Sequence, residues 1–300
     1  MSALIKPMEP VLSNQLPLDP NLIYQVKWDG IRILAKVENG NVVLHTRHGN
    51  IRSLIYPEIK DTISNKFAKQ TLYLDGEMIA INKGKADFFQ VAKRDRMKTE
   101  SKIKQYIYKI PVSYVVFDIL QWNDWILEKP LYDRLSILQK IIEPSDKIQV
   151  CPTTSDGESL FHYTKNQGWE GIVVKEKSGK YHLGEKHPTW KKVKHFQYIT
   201  ATVLGVTLKS GSVYSLLLGK KEGEYWVYIG RVSSGLNTEE KQILTSYSSS
   251  LSISHPVAVI PPFKEEEIRW FSPNMQVNIR FLEWTPEATL RNPVIESFLK

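Results

Sequence analysis

The hexapeptide Lys27-Trp28-Asp29-Gly30-Ile31-Arg32 decides how this chain is read. A lysine closes a short β-run at residues 24–27. An aspartate and a glycine follow, and an arginine opens the next β-rich run. A lysine amine attacks a phosphorus or carbonyl centre only when it is deprotonated. Its ordinary pKa lies near 10.4, so roughly one side chain in a thousand is neutral near pH 7.4. Cationic neighbours or a bound metal lower that pKa and activate the amine. Standing alone, the hexapeptide reads more readily as a surface lysine beside a turn, so its meaning rests on the rest of the chain.

Around it, the first two-thirds of the sequence mix strands and helices. Residues 32–38 and 41–46 are β-rich and are joined at Asn39-Gly40, a pair that tolerates φ > 0 and favours a tight hairpin. Residues 72–81, 112–120, 171–175 and 190–193 read as further strands. Residues 130–142 read as a helix: the proline falls in the first turn, and Leu131, Leu135, Leu138 and Ile142 share one face. Residues 158–167 predict a second helix that Gly168 stops. From Ile199 onward the character changes to short strands at 199–206, 213–218, 225–232, 257–260 and 277–284. One helix interrupts them, with Asn237 as its N-cap and Glu239 and Glu240 in its first turn. Several strands around one helix predict a small barrel, with the boundary near residues 194–198.

Other groups add chemistry to the lysine. Arg47-His48-Gly49 follows the hairpin, and Asp75-Gly76-Glu77 interrupts an apolar strand. Phe117-Asp118 ends the run Val115-Val116. Glu170-Gly171-Ile172-Val173-Val174-Lys175 opens a strand with a carboxylate and closes it with a lysine. In Trp190-Lys191-Lys192-Val193-Lys194 the strand alternation puts Lys192 and Lys194 on one face. Each group alone is better explained by a turn acid, a strand-end aromatic or a solvated basic face.

Together, and in this order, they resemble the covalent nucleotidyltransferase superfamily of DNA ligases, RNA ligases and mRNA capping enzymes. The family pattern is Lys-x-Asp-Gly-x-Arg, then Arg-x-Gly, Asp-Gly-Glu, an aromatic-acid pair, Glu-Gly-hydrophobic-hydrophobic-x-Lys and a Lys-x-Lys strand, and every part has its match here. The resemblance is strongest over residues 20–195. The C-terminal Leu290-Arg291-Asn292-Pro293-Val294 and the barrel resemble the ligase domain of bacterial end-joining DNA ligases. The implied fold is α+β: a nucleotidyltransferase domain at 1–195 (ATP-grasp-like, antiparallel sheets with flanking helices) and a small OB-fold β-barrel domain at 196–300.

The resemblance also implies roles. Lys27 would take AMP from ATP, releasing pyrophosphate. Arg32 and Arg47 would contact ribose, phosphate or the nick. Glu77 would bind the ribose hydroxyls or orient a metal, and Glu170 would bind a divalent cation, Mg²⁺ or alternatively Mn²⁺. Phe117 would stack on adenine, with Val173 beneath the other face. Lys192 and Lys194 would neutralise the α-phosphate as charge develops, and Lys175 would also contact phosphate. Arg291 would touch the β- and γ-phosphates as the barrel closes over ATP. One departure concerns the base. Many relatives carry Glu two residues before the lysine, and this chain carries Gln25, whose amide both accepts and donates; the main chain near Val26 is a second source of an acceptor.

Composition agrees with this picture. The net charge of +8 favours a polyanionic partner, here nicked double-stranded DNA. Cys151 is the only cysteine, which excludes an intramolecular disulfide. The chain has no apolar run of membrane-spanning length, and its N-terminus lacks the apolar core of a secretory signal. A cytoplasmic monomer, nucleoid-associated in a bacterium, is the expectation. So little sequence precedes Lys27 that DNA encirclement is expected to come from the two domains or from a partner, with a Ku-like end-binding protein suggested by analogy. Two other readings stand beside an ATP-dependent DNA ligase. One is an RNA ligase or capping-type guanylyltransferase. The other is a catalytically dead nucleic-acid-binding protein, which would be expected to have lost part of the set Lys27, Glu77, Glu170, Lys192 and Lys194.

Overall fold

The computed structural model describes residues 4–263 and 266–299. The chain divides into two compact units, Met1–Lys194 and His195–Lys300. Two sheets organise the first unit. One runs in the order Glu9–Leu12, Lys186–Lys194, Gly171–Glu176, Leu22–Val26, Thr153–Thr154. The other runs Ile148–Val150, Ser113–Trp122, Leu72–Ile79, Ile31–Glu38, Asn41–Thr46, with Asp124–Trp125 folded back on Ser113–Trp122. Pairing is antiparallel except where Glu9–Leu12 joins Lys186–Lys194 and Ile148–Val150 joins Ser113–Trp122.

Side-chain alternation gives each sheet two unlike faces. In the first sheet Leu22, Tyr24, Ile172, Val174 and Val193 pack against Leu160 and Phe161 of the helix Gly157–Asn166. The opposite face carries Gln25, Val173, Lys175, Trp190, Lys192 and Lys194. In the second sheet Ile33, Ala35, Val37, Leu72 and Leu74 form the main core with Ile59, Ile63 and Phe67 of the helix Pro57–Phe67 and with Leu131, Leu135 and Leu138 of the helix Leu131–Ile141. Its opposite face sends Leu34, Tyr73 and Leu120 against Met8, Tyr181 and Trp190. The polar faces of the two sheets therefore converge across that small apolar cluster. The expected hairpin forms with Asn39 at φ +51° and Gly40 at φ +78°. Cys151 is buried beside Ile79, Ala86 and Val115, and burial pushes its thiol up to about 11.

The second unit is a seven-stranded sheet with its own core. The long strand Gln197–Lys209 pairs with Ser212–Glu222, which pairs with Tyr225–Val232. The end of the long strand also pairs with Glu267–Phe271 and its start with Gln276–Phe281, which continues to Val294–Phe298. The helix Thr238–Tyr247 begins with a capping box between Asn237 and Glu240. Among the described residues no strand ladder closes this sheet into a barrel; Tyr225–Val232 meets the C-terminal segment through the Leu290 N–H to the Ile229 carbonyl at 2.8 Å. One expectation is corrected here. The strand expected at 257–260 is irregular, with Val259 95% exposed. Pro256, Pro261 and Pro262 around it lack the N–H groups a ladder needs. Glu267–Phe271 takes the place in the sheet, and its charged Glu267 and Arg269 concealed it in the sequence.

One buried ion pair fixes the helix Leu131–Ile141 to the second sheet. The Arg134 Nε and Nη2 donate to both oxygens of Asp118 at 2.8 and 2.9 Å, and both side chains are fully buried. Its Nη1 donates to the Gly179 carbonyl at 3.1 Å and to that of Lys129. Removing one partner leaves a buried, uncompensated charge, which costs about 3–5 kcal/mol. Arg134→Met should therefore lower unfolding stability by roughly that amount, read as a lower denaturant midpoint by tryptophan fluorescence. A loss below about 1 kcal/mol, the level of an exposed pair, would contradict the assigned role.

Candidate active site

Lys27 stands immediately after the strand Leu22–Val26, and its N–H donates to the Gly171 carbonyl at 3.0 Å. Two glycines permit this placement. A Cβ on Gly30 would lie 2.2 Å from the Met78 carbonyl oxygen, so only glycine lets the turn after Lys27 pass against Leu72–Ile79. Gly171 has φ +142°, and a Cβ there would lie 2.1 Å from the Val193 carbonyl oxygen. That close approach brings Glu170 beside Lys194 on the next strand, and the register pairs Gly171 with Lys194.

The result is a carboxylate held between two ammonium groups. Lys27 Nζ lies 2.6 Å from one Glu170 oxygen, and Lys194 Nζ lies 2.7 Å from the other. The Glu170 side chain is 6% exposed. Burial would raise its pKa, but Lys27 and Lys194 overturn that effect and hold the carboxyl below its ordinary value. Burial would lower the Lys27 pKa; Glu170, with Glu77 and Asp29 behind it, outweighs burial and the net shift is upward. Lys192 moves down, through burial first and then the like charges of Lys194 and Lys27. Glu77 is pushed up to about 8, chiefly by burial, with Glu170 and Asp29 adding to the rise and Lys27 and Arg32 opposing it. In this state Lys27 is an ammonium and must lose its proton to attack.

Arg32 sits opposite Glu77 in the register of the second sheet. Its guanidinium grips both oxygens of the buried Asp75, and Tyr181 Oη donates to the same carboxylate at 2.6 Å. Arg32 also lies 5.3 Å from the centre of the Phe117 ring. Phe117 in turn meets Trp190 edge to face at 6.0 Å. Lys175 is not beside Glu170: it is buried beneath these two rings.

Gln25 is 1% exposed, and its Nε2 has no hydrogen-bond partner among the described residues. Val173 stands between Gln25 and Lys192 in the ladder. Val26 is paired with Ile172. Arg47 lies at the periphery: it is about half exposed and 3.6 Å from Glu9, whose charge also acts on Lys192. Arg291 belongs to the other unit, where it pairs with Glu283 at 2.6 Å. The first sheet thus gathers Lys27, Gln25, Glu170, Val173, Lys192 and Lys194, and the second brings Arg32, Glu77 and Phe117. Sequence reasoning missed Tyr181 and Trp190 as supports. Tyr181 is 149 positions from Arg32 and carries no local signal; Trp190 could have been found, since it shares a strand face with Lys192.

A divalent cation fits the donor set in chemistry. Glu170, Glu77 and Asp29 all act electrostatically on Lys27, so anionic oxygen is concentrated there. Among the described residues no group of three or more His, Cys, Asp or Glu side chains forms a ready cage. A cation there would be held by one or two carboxylates together with substrate phosphates and waters, the manner in which Mg²⁺ is commonly bound.

Residues 6–194 match the ATP dependent DNA ligase domain, and residues 209–298 match the ATP dependent DNA ligase C terminal region. The multifunctional non-homologous end joining DNA repair protein LigD of Mycobacterium tuberculosis is 26% identical over 276 residues, covering 89% of this chain and 35% of that protein. The bifunctional non-homologous end joining protein LigD of Bacillus subtilis is 27% identical over 254 residues, covering 79% of this chain and 41% of that protein. The chain therefore spans well under half the length of these relatives. A solved mycobacterial DNA ligase D complexed with ATP and MES has a TM-score of 0.59 at 25% identity, covering 98% of this chain and 95% of that one. A Lig E DNA ligase structure reaches 0.68 at 17% identity, which speaks for the fold alone. With one ligase domain matched across nearly all of the first unit and the second matched across most of the other, the chain belongs to the ATP-dependent DNA ligase family.

Proposed function

We propose that this chain seals 5′-phosphate/3′-hydroxyl nicks in duplex DNA through a lysyl-AMP intermediate. The observation that carries the reading is the bonded triplet Lys27–Glu170–Lys194 across neighbouring strands, with Glu77 and Lys192 beside it. Lys27 Nζ attacks the α-phosphorus of ATP, a P–N bond forms, and pyrophosphate leaves. The AMP then passes to the DNA 5′-phosphate, and the 3′-hydroxyl displaces it. Lys192 and Lys194 face the charge that develops on the α-phosphate. Glu170 and Glu77 would hold Mg²⁺ or Mn²⁺, which supplies neutralising charge at the phosphoryl centre. Engaging Glu170 elsewhere removes the group that keeps Lys27 protonated, so its amine becomes easier to deprotonate. Phe117 and Val173 sandwich adenine, Arg32 meets ribose or the nick, and Arg47 reaches the DNA strand. Domain limits of 1–195 and 196–300 and an OB-type second domain go with this reading. The relatives named for non-homologous end joining favour repair of broken ends as the setting, where a Ku-like protein would present the DNA.

Gln25 is the base-reading candidate. A buried amide whose Nε2 lacks a partner among the described residues is costly, and an adenine offers it both a donor and an acceptor. The same bidentate pairing serves Gln on adenine in DNA recognition.

Transfer of label from α-labelled ATP or GTP to the protein, followed by nick sealing on matched DNA and RNA duplexes, tests the reading as a whole. Lys27→Ala should lose the protein–AMP adduct in mass spectrometry yet still seal pre-adenylated nicked DNA, which bypasses self-adenylation. Glu170→Ala should fail on both substrates, because each step moves a phosphoryl group. An adduct on another lysine, or a Glu170→Ala chain fully active on the bypass substrate, would sink the assignment.

Base recognition makes a separate expectation. Gln25→Ala should raise the KM for ATP in self-adenylation about tenfold and narrow the preference for ATP over GTP. Gln25→Glu, which keeps an acceptor for the adenine amine, should retain most of that preference. Unchanged discrimination in both variants would remove Gln25 from base reading.

A further inference from the structure

Phe117 occupies an irregular place in its strand. Between Leu72–Ile79 and Ser113–Trp122 the ladder sets Asp75 opposite Asp118 and next Gly76 opposite Val116, so Phe117 is passed over. Such a bulge bends the strand and re-aims the side chain it carries. The Phe117 carbonyl accepts instead from Lys175 Nζ at 3.1 Å. Lys175 comes from the other sheet, where it pairs with Trp190. Its ammonium lies 4.6 Å from the centre of the Phe117 ring and 3.9 Å from that of Trp190.

This lysine is only 2% exposed. Burial pushes its pKa down to about 8. The charged and titratable groups acting on it are Asp118, Cys151, Asp75 and Arg32. Both carboxylates are engaged elsewhere, Asp118 by Arg134 and Asp75 by Arg32. What Lys175 touches is therefore a carbonyl and two aromatic rings, a setting in which a desolvated cation binds ring faces well.

We infer that Lys175 is a positioning residue: from the opposite sheet it holds the bulge at Phe117, and so sets the ring against which the adenine of ATP stacks. The inference rests on the ligase reading and replaces the phosphate contact that the sequence resemblance implied. It separates Lys175 from Lys192 and Lys194 despite their shared sheet face. Lys192 and Lys194 act on charge, whereas Lys175 acts on the base through Phe117.

The test uses the full chain and two probes, α,β-methylene-ATP, which cannot transfer its adenylyl group, and tripolyphosphate, which has no base. Binding of each is measured calorimetrically for the wild type, Lys175→Met, Phe117→Ala and the double variant. Lys175→Met should weaken the nucleotide analogue about tenfold and leave tripolyphosphate unchanged. In the Phe117→Ala background the same change should add less than about twofold, because coupled residues are not additive. Should Lys175→Met fail to fold, Lys175→Gln, which keeps a donor for the carbonyl but no charge, carries the comparison. Equal weakening of both probes, fully additive losses, or an unchanged affinity for the analogue each overturn the inference. A wild-type chain that does not bind the analogue overturns the ligase reading itself.

Discussion

The first unit depends on one carboxylate shared by two lysines. Glu170 receives Lys27 from one strand and Lys194 from another, so three elements of the sheet meet at a single charged centre. Its electrostatics set the resting chemistry. The partner that stabilises the partly buried Lys27 charge also keeps the amine protonated, and reactivity must come from changing that partner. The same centre thus works as a stabilising contact before substrate arrives and as a donor set once phosphate and cation compete for it.

Backbone packing makes that centre possible. Gly30 and Gly171 are two points where neighbouring backbone comes too close for a side chain, and each lies within three residues of a functional residue. The second sheet is held with similar economy. Asp75 anchors Arg32 and Tyr181, Asp118 anchors Arg134, and neither carboxylate reaches solvent. Asp75 and Asp118, which the sequence showed only as members of the motifs that carry Glu77 and Phe117, are thereby the braces of Arg32, Tyr181 and Arg134.

Much of this is legible in the sequence alone. The hairpin at Asn39-Gly40, the helices bearing Leu131 and Glu158, and the alternation that groups Lys192 with Lys194 follow from local rules and appear as expected. Lys27, Glu170 and Lys194 were singled out by motif, and the structure brings them into contact. What escaped were features made by long-range pairing. The bulge at Phe117 depends on how two strands register, and Tyr181 reaches Asp75 across 106 positions. Lys175 looked like one more cation on a strand because periodicity assigns a face and says nothing of depth. In the second unit, the apolar residues at 257–260 imitated a strand, while prolines around them and a charged strand at Glu267–Phe271 reversed the outcome.

The buried thiol of Cys151 has a practical consequence. It is the chain's only sulfhydryl, it is 2% exposed, and its pKa is raised to about 11, so little thiolate is available near neutrality. A maleimide or spin-label reagent would find almost nothing to react with on the native protein. A cysteine introduced at an exposed position in either unit would then be the sole reactive handle, and a label could be placed there without first removing a native residue from the core.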